Sequence, residues 1–75
     1  MQYLVIGQGV WGKGTSQATA TASWRQMGGE AAQGGYRILR FEDDDAVQAI
    51  GIWGDVTYKG PEPTVVRDVA QKSNG

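Results

Sequence analysis

The chain has 75 residues, seven basic and eight acidic side chains for a net charge of −1, and neither cysteine nor histidine, which excludes disulfide staples, thiolate and imidazole catalysis and the common zinc sites. A chain of this length makes one small domain that buries only about 60% of the surface its unfolded form exposes. Balanced charge sets up no field for phosphate backbones, so nucleic acid is a disfavoured partner. Without a secretory leader pattern or an apolar stretch of membrane-spanning length, the expected location is cytoplasmic, with no membrane partner.

Residues 2–6, Gln-Tyr-Leu-Val-Ile, read as a β-prone run that continues through Val10 and Trp11 if the intervening glycines act as bulges. Thr15 or Ser16 then offers a hydroxyl N-cap to a helix that stops at Gly28-Gly29. Ala20, Trp24 and Met27 form its apolar stripe, so Trp24 and Met27 are expected inward. The threonines in this segment lower its helix propensity, and tertiary contact must hold it. Gly34-Gly35 releases the chain into a second strand, Tyr36 to Phe41, and residues 42–46 connect it to a long third strand over 47–59. So short a connection fits an antiparallel hairpin and not a parallel crossover.

The fold class expected is therefore α+β in the order β-α-β-β: a three-stranded sheet of order 1-3-2, strands one and two parallel and the third antiparallel between them, with one helix on one face. Gly60-Pro61-Glu62-Pro63 ends the compact unit at residues 1–63. Thr64 then starts a short helix with Val65, Val66 and Val69 inward, or a flexible tail, over residues 64–75.

Gly7-Gln8-Gly9-Val10-Trp11-Gly12-Lys13-Gly14-Thr15 meets most of the phosphate-loop pattern, in which backbone N–H groups surround phosphate and a lysine reaches it. Over these nine residues it resembles the phosphate loop of adenylate kinase-like enzymes, which implies a nucleotide site at Gly7, Gly12, Lys13 and Thr15. Gly14 stands where the magnesium-binding hydroxyl belongs, and a β-α-β-β chain has no residues left for a multi-stranded parallel sheet. Gly7, Gly9 and Gly12 also match the dinucleotide spacing, but 29 residues separate Gly12 from Glu42, where about 20 are usual. The structural alternative is that Gly7, Gly9, Gly12 and Gly14 serve bulges and close helix approach, and no cofactor is needed.

Gly9-Val10-Trp11-Gly12 is echoed by Gly51-Ile52-Trp53-Gly54. Strand periodicity puts Leu4, Ile6, Val10, Leu39, Phe41, Ile50, Ile52, Val56 and Tyr58 on one sheet face, matched to the helix stripe as the core. The opposite face takes Tyr3, Val5, Trp11, Tyr36, Ile38, Arg40, Trp53, Asp55 and Thr57. A single helix leaves that second face uncovered, and an apolar patch of this kind marks a recognition surface. Tyr3, Trp11, Tyr36, Arg40 and Trp53 are its candidate contact residues, with the C-terminal segment, a second copy or a foreign protein as its cover. Stacking of single-stranded nucleic acid on the same face is an alternative, with Lys13, Arg37, Arg40 and Lys59 for phosphates.

Glu42, Asp43, Asp44 and Asp45 form an acidic hairpin tip, a solvated turn or a secondary contact for a basic partner, without the ligand spacing of a calcium loop. No nucleophile with a base and no paired general acid and base stands out, so no metal site and no enzymatic activity are expected. The expected function is a small non-catalytic protein-binding or regulatory module, of the sort that suits a bacteriophage or mobile-element accessory protein.

Overall fold

The computed structural model describes residues 1–51 and 54–71. The first apolar run folds back on itself: β1 (Gln2–Gly7) and β2 (Val10–Gly14) pair antiparallel from Tyr3 opposite Gly14 to Gly7 opposite Val10. Gln8 and Gly9 make the two-residue turn, with φ of +58° and +79°. Two consecutive positive φ values match the twist of a hairpin, and the expected bulges are a reversal of direction instead. The helix α1 (Gln17–Gln26) follows, with Ser16 as N-cap. The Ser16 hydroxyl accepts from the Thr19 N–H at 3.1 Å while the Thr19 hydroxyl accepts from the Ser16 N–H at 3.2 Å, a reciprocal capping box. After a 3₁₀ turn at Ala31–Gln33, β3 (Tyr36–Phe41) spans the residues expected of the second strand.

The connection after β3 does not close a hairpin onto it. Residues 47–59 instead divide into β4 (Val47–Ile50) and β5 (Val56–Tyr58), which pair with each other as a separate two-stranded sheet. Gly51 and Asp55 close the interruption, the Gly51 N–H donating to the Asp55 carbonyl at 2.7 Å, and Gly54 adopts a φ of +85° there. The expected C-terminal helix is a strand, β6 (Thr64–Val69). Thr64, Val65, Val66 and Val69 are β-branched, which favours the pleated surface over the helix.

The main sheet has four strands in the order β2-β1-β3-β6, antiparallel at every neighbouring pair. This overturns the three-stranded 1-3-2 sheet with a parallel pair. The unread turn at Gln8-Gly9 is the reason, because the helix leaves from the end of β2. The two strands it connects, β2 and β3, run the same way but with β1 inserted between them.

Alternating residues of β1 and β3 supply two cores, one on each face of the sheet. Val5, Tyr36 and Ile38 are buried with Ala20 and Trp24 of α1, and Tyr3, Val10 and Val69 pack at the margin. Leu4, Leu39 and Phe41 are buried on the other face with Ala46, against Ile6, Val47, Ile50, Val56 and Tyr58. The parity of β1 and β3 sorts as the sequence suggests, but the covers are exchanged. The helix lies on the Tyr3, Val5, Tyr36 and Ile38 face, and the β4–β5 hairpin covers the face expected to meet the helix.

Glycine decides the exchange. A Cβ on Gly12 would overlap the Trp24 backbone nitrogen and come within 2.6 Å of the Ala20 carbonyl oxygen, and one on Gly14 would lie 2.7 Å from the Ala20 nitrogen. Both glycines sit opposite helix-face residues, Val5 and Tyr3, whereas the reverse face of β2 carries Trp11 and Lys13. Only one side of β2 lets a helix backbone approach so closely. No helix among the described residues is long and apolar enough to cross a membrane.

Candidate functional site

Tyr3, Tyr36 and Arg40 share the helix face, where Tyr36 is only 7% exposed beneath Trp24. The Trp24 and Tyr36 rings are 4.9 Å apart and tilted by 37°. The Trp24 indole N–H donates to the Gly7 carbonyl at 3.0 Å, so this fully buried aromatic has its polar atom satisfied. Tyr3 and Arg40 are half-buried cross-strand partners on β1 and β3. The aromatic face expected to be open is therefore a covered one at Tyr36. Trp53 lies outside the described residues.

Trp11 is the candidate that reaches solvent, 38% exposed on β2, the first strand of the sheet. It stands opposite Ile6 and thus on the face away from α1, not beside Tyr3. Lys13, two residues on, places its Nζ 5.6 Å from the Trp11 ring centroid, within reach of a cation–π contact. Where the edge of β2 passes under α1, a groove of about 310 Å³ is lined by Trp11, Gly12, Lys13, Ser23, Gln26 and Met27. Met27 is 58% exposed, contrary to its expected inward place, because it is the C-cap beyond the last helical turn and meets this groove instead of the core.

A second cavity, about 220 Å³, lies between the β1–β2 turn and the connection from β4 to β5. Gly9, Val10 and Trp11 line one side and Gly51 and Gly54 the other. Glycines of both sequence echoes thus flank one cavity. Trp11 lines both concavities.

The glycine-rich run is a hairpin and a cap. Gly12 and Lys13 are inside β2, paired with Val5 and Leu4, and Thr15 precedes the N-cap Ser16. Gly7 is required by packing, since a Cβ there would lie 2.6 Å from the Tyr36 Cα. Consecutive N–H groups in a strand point to opposite sides, so Gly12 and Lys13 do not turn adjacent N–H groups toward one point.

Gln8 in the same run has a role that no sequence signal indicated. Its Nε2 donates to the carbonyls of Glu30 at 2.9 Å and Gly34 at 2.6 Å, and its Oε1 accepts from the Glu30 N–H at 3.1 Å. These bonds tie the loop after α1 to the tip of the β1–β2 hairpin. They also hold a non-glycine residue at positive φ, which costs backbone energy elsewhere.

Glu42, Asp43, Asp44 and Asp45 are all exposed. They join β3 to β4 across two sheets and are not a hairpin tip. Asp44 lies 2.6 Å from the Met1 amine, with half or more of each side chain exposed, an arrangement worth little in water. Among the described residues no group of three acidic, histidine or cysteine side chains is placed to hold a metal ion. No family model, curated protein or solved structure matches this chain.

Proposed function

We propose that this chain is a non-catalytic protein-binding module whose recognition surface is centred on Trp11. The observation that carries the reading is an indole 38% exposed on an edge strand and shared by two adjoining concavities. A large, rigid side chain at the centre of a surface patch is the kind of residue that dominates binding energy. Met27 at 58% exposure extends the apolar surface, and Lys13 gives it one charged side chain. The surface expected from the sequence moves from the open sheet face to the sheet edge, with Trp11 retained and Tyr36 left out.

The test is capture of partners from lysate by the immobilised chain and by its Trp11→Ala variant, with circular dichroism of both. The expected result is loss of a specifically retained protein with an unchanged spectrum, because Trp11 belongs to neither buried core. Equal retention by the folded variant would overturn the reading.

A further inference from the structure

We infer that the outer edge of β2, beside α1, takes an extended, acid-bearing segment of another protein as a fifth strand of the sheet. This deepens the binding-module reading and rests on it. The backbone of β2 is the first ground. Gly7 and Val10 close the two-residue turn, so they form a hydrogen-bonded pair, and pairs along an antiparallel ladder alternate between bonded and non-bonded. Val5–Gly12 is then bonded, while Ile6–Trp11 and Leu4–Lys13 are not. The N–H and C=O groups of Trp11 and Lys13 consequently face away from β1, toward the side where the sheet has no further strand among the described residues. Two residues at one edge offer two donors and two acceptors in the spacing an added strand requires.

The helix sets what kind of chain can come. Its backbone lies directly over Gly12, and Ser23, Gln26 and Met27 border the groove at the same edge. A second copy cannot pair β2 with β2, because strands about 4.8 Å apart would bring two overlying helices closer than the 8–10 Å, roughly, that helix packing allows. The β6 strand of another copy is a poor occupant as well. Its ladder with β3 is broken between Ile38 and Leu39, and it presents Arg67 and Asp68, a bulge and charges of the kind that protect edges from pairing. A bare extended segment meets neither obstacle.

Charge selects its composition. Within residues 1–29 the charged side chains are Lys13 and Arg25, and all eight carboxylate side chains lie from Glu30 onward. The residues lining this edge therefore include a cation, Lys13, and no acidic residue, and the Lys13 side chain lies with Trp11 on the face away from α1. Trp11 and Lys13 are two apart on one strand and share a face. The partner segment accordingly carries an apolar side chain to lie on the indole and a carboxylate two residues away to meet the ammonium group.

Panning a displayed random-peptide library against the intact chain tests this directly. The expected consensus alternates, with Asp or Glu two residues from a large apolar side chain. A selected peptide should slow hydrogen exchange at the Trp11 and Lys13 amides, and Lys13→Glu should weaken it by about tenfold or more, the size of one charge-assisted hydrogen bond. The same peptide with lysine in place of its carboxylate should recover binding to that variant. Basic or helical consensus sequences, protection at other amides, or a self-associated chain whose Trp11 and Lys13 amides are already protected would overturn the inference. If no peptide is enriched while Trp11→Ala still abolishes protein capture, the strand inference fails and the binding-module reading stands; failure of both experiments removes both.

Discussion

The two faces of the main sheet are built from alternate residues of the same two strands, yet they are closed by different means. On the helix face Trp24 is fully buried, hydrogen-bonded to Gly7 and packed against the tilted Tyr36 ring. Gly29 lies against the same indole, where an added Cβ would be 2.6 Å from the Cζ2 atom. Backbone meets backbone at Gly12 and Gly14. On the other face Phe41 is fully buried and lies 5.6 Å from Tyr58 with a tilt of 59°, but its cover is a hairpin of four and three residues with half-buried side chains. The first closure depends on atoms that cannot be added or removed without moving the backbone. The second depends on side-chain burial and on a long hydrogen bond, 3.4 Å, from the Val47 N–H to Gln2 Oε1, so it should open at lower free energy.

Trp24→Ala is expected to have the largest effect. Removing a buried aromatic costs about 3–5 kcal/mol, a large part of the roughly 5–15 kcal/mol available to a domain. Thermal melts followed by circular dichroism should lose their cooperative transition. A sharp transition near the native temperature would mean that the helix face is not the anchor. Phe41→Ala removes a ring of similar burial at about 3 kcal/mol, and here the comparison predicts a divided response. Amides of β4 and β5 should exchange much faster while those of β1 and β3 stay protected; uniform loss of protection would show that the two faces open together.

Gly12→Ala adds one methyl group under the helix backbone and should cost about 1–3 kcal/mol by overpacking. Its denaturant midpoint should fall below that of Gly51→Ala, where the nearest contact of an added Cβ is an ordinary 3.5 Å to Asp55. Equal midpoints would remove the case for close helix approach as the reason for glycine at this position. The smallest effect is expected at Gln8→Ala, about 1 kcal/mol from lost hydrogen bonds, read as faster exchange at the Glu30 amide with the sheet unchanged.

Some features were plain in the residue order. A hydroxyl N-cap at Thr15 or Ser16, Trp24 as the buried centre of the helix and Tyr36–Phe41 as a strand all follow from local preference and periodicity. The reversals were the weak point. The chain reverses at Gln8-Gly9 and again between β4 and β5, both within stretches of high β propensity, and reading these as bulges or continuous strand gave too few strands. One missed turn then inverted the direction of β1 relative to β3. For the candidate site, Trp11 was legible as a large aromatic between glycines, while Ser23, Gln26 and Met27 were not. Their place beside Trp11 depends on which face of β2 the helix occupies.

The sequence by itself determined that residues 2–6 and 36–41 are extended, that a helix carrying Trp24 lies between them, and which residues of β1 and β3 share a face, because these depend on interactions between near neighbours and on a period of two. Only the tertiary structure decided which cover lies on which face, that β6 completes the sheet, and that Trp11 ends at an edge. Those outcomes depend on how closely two backbones can approach. A glycine states where approach is allowed, but not which partner uses it.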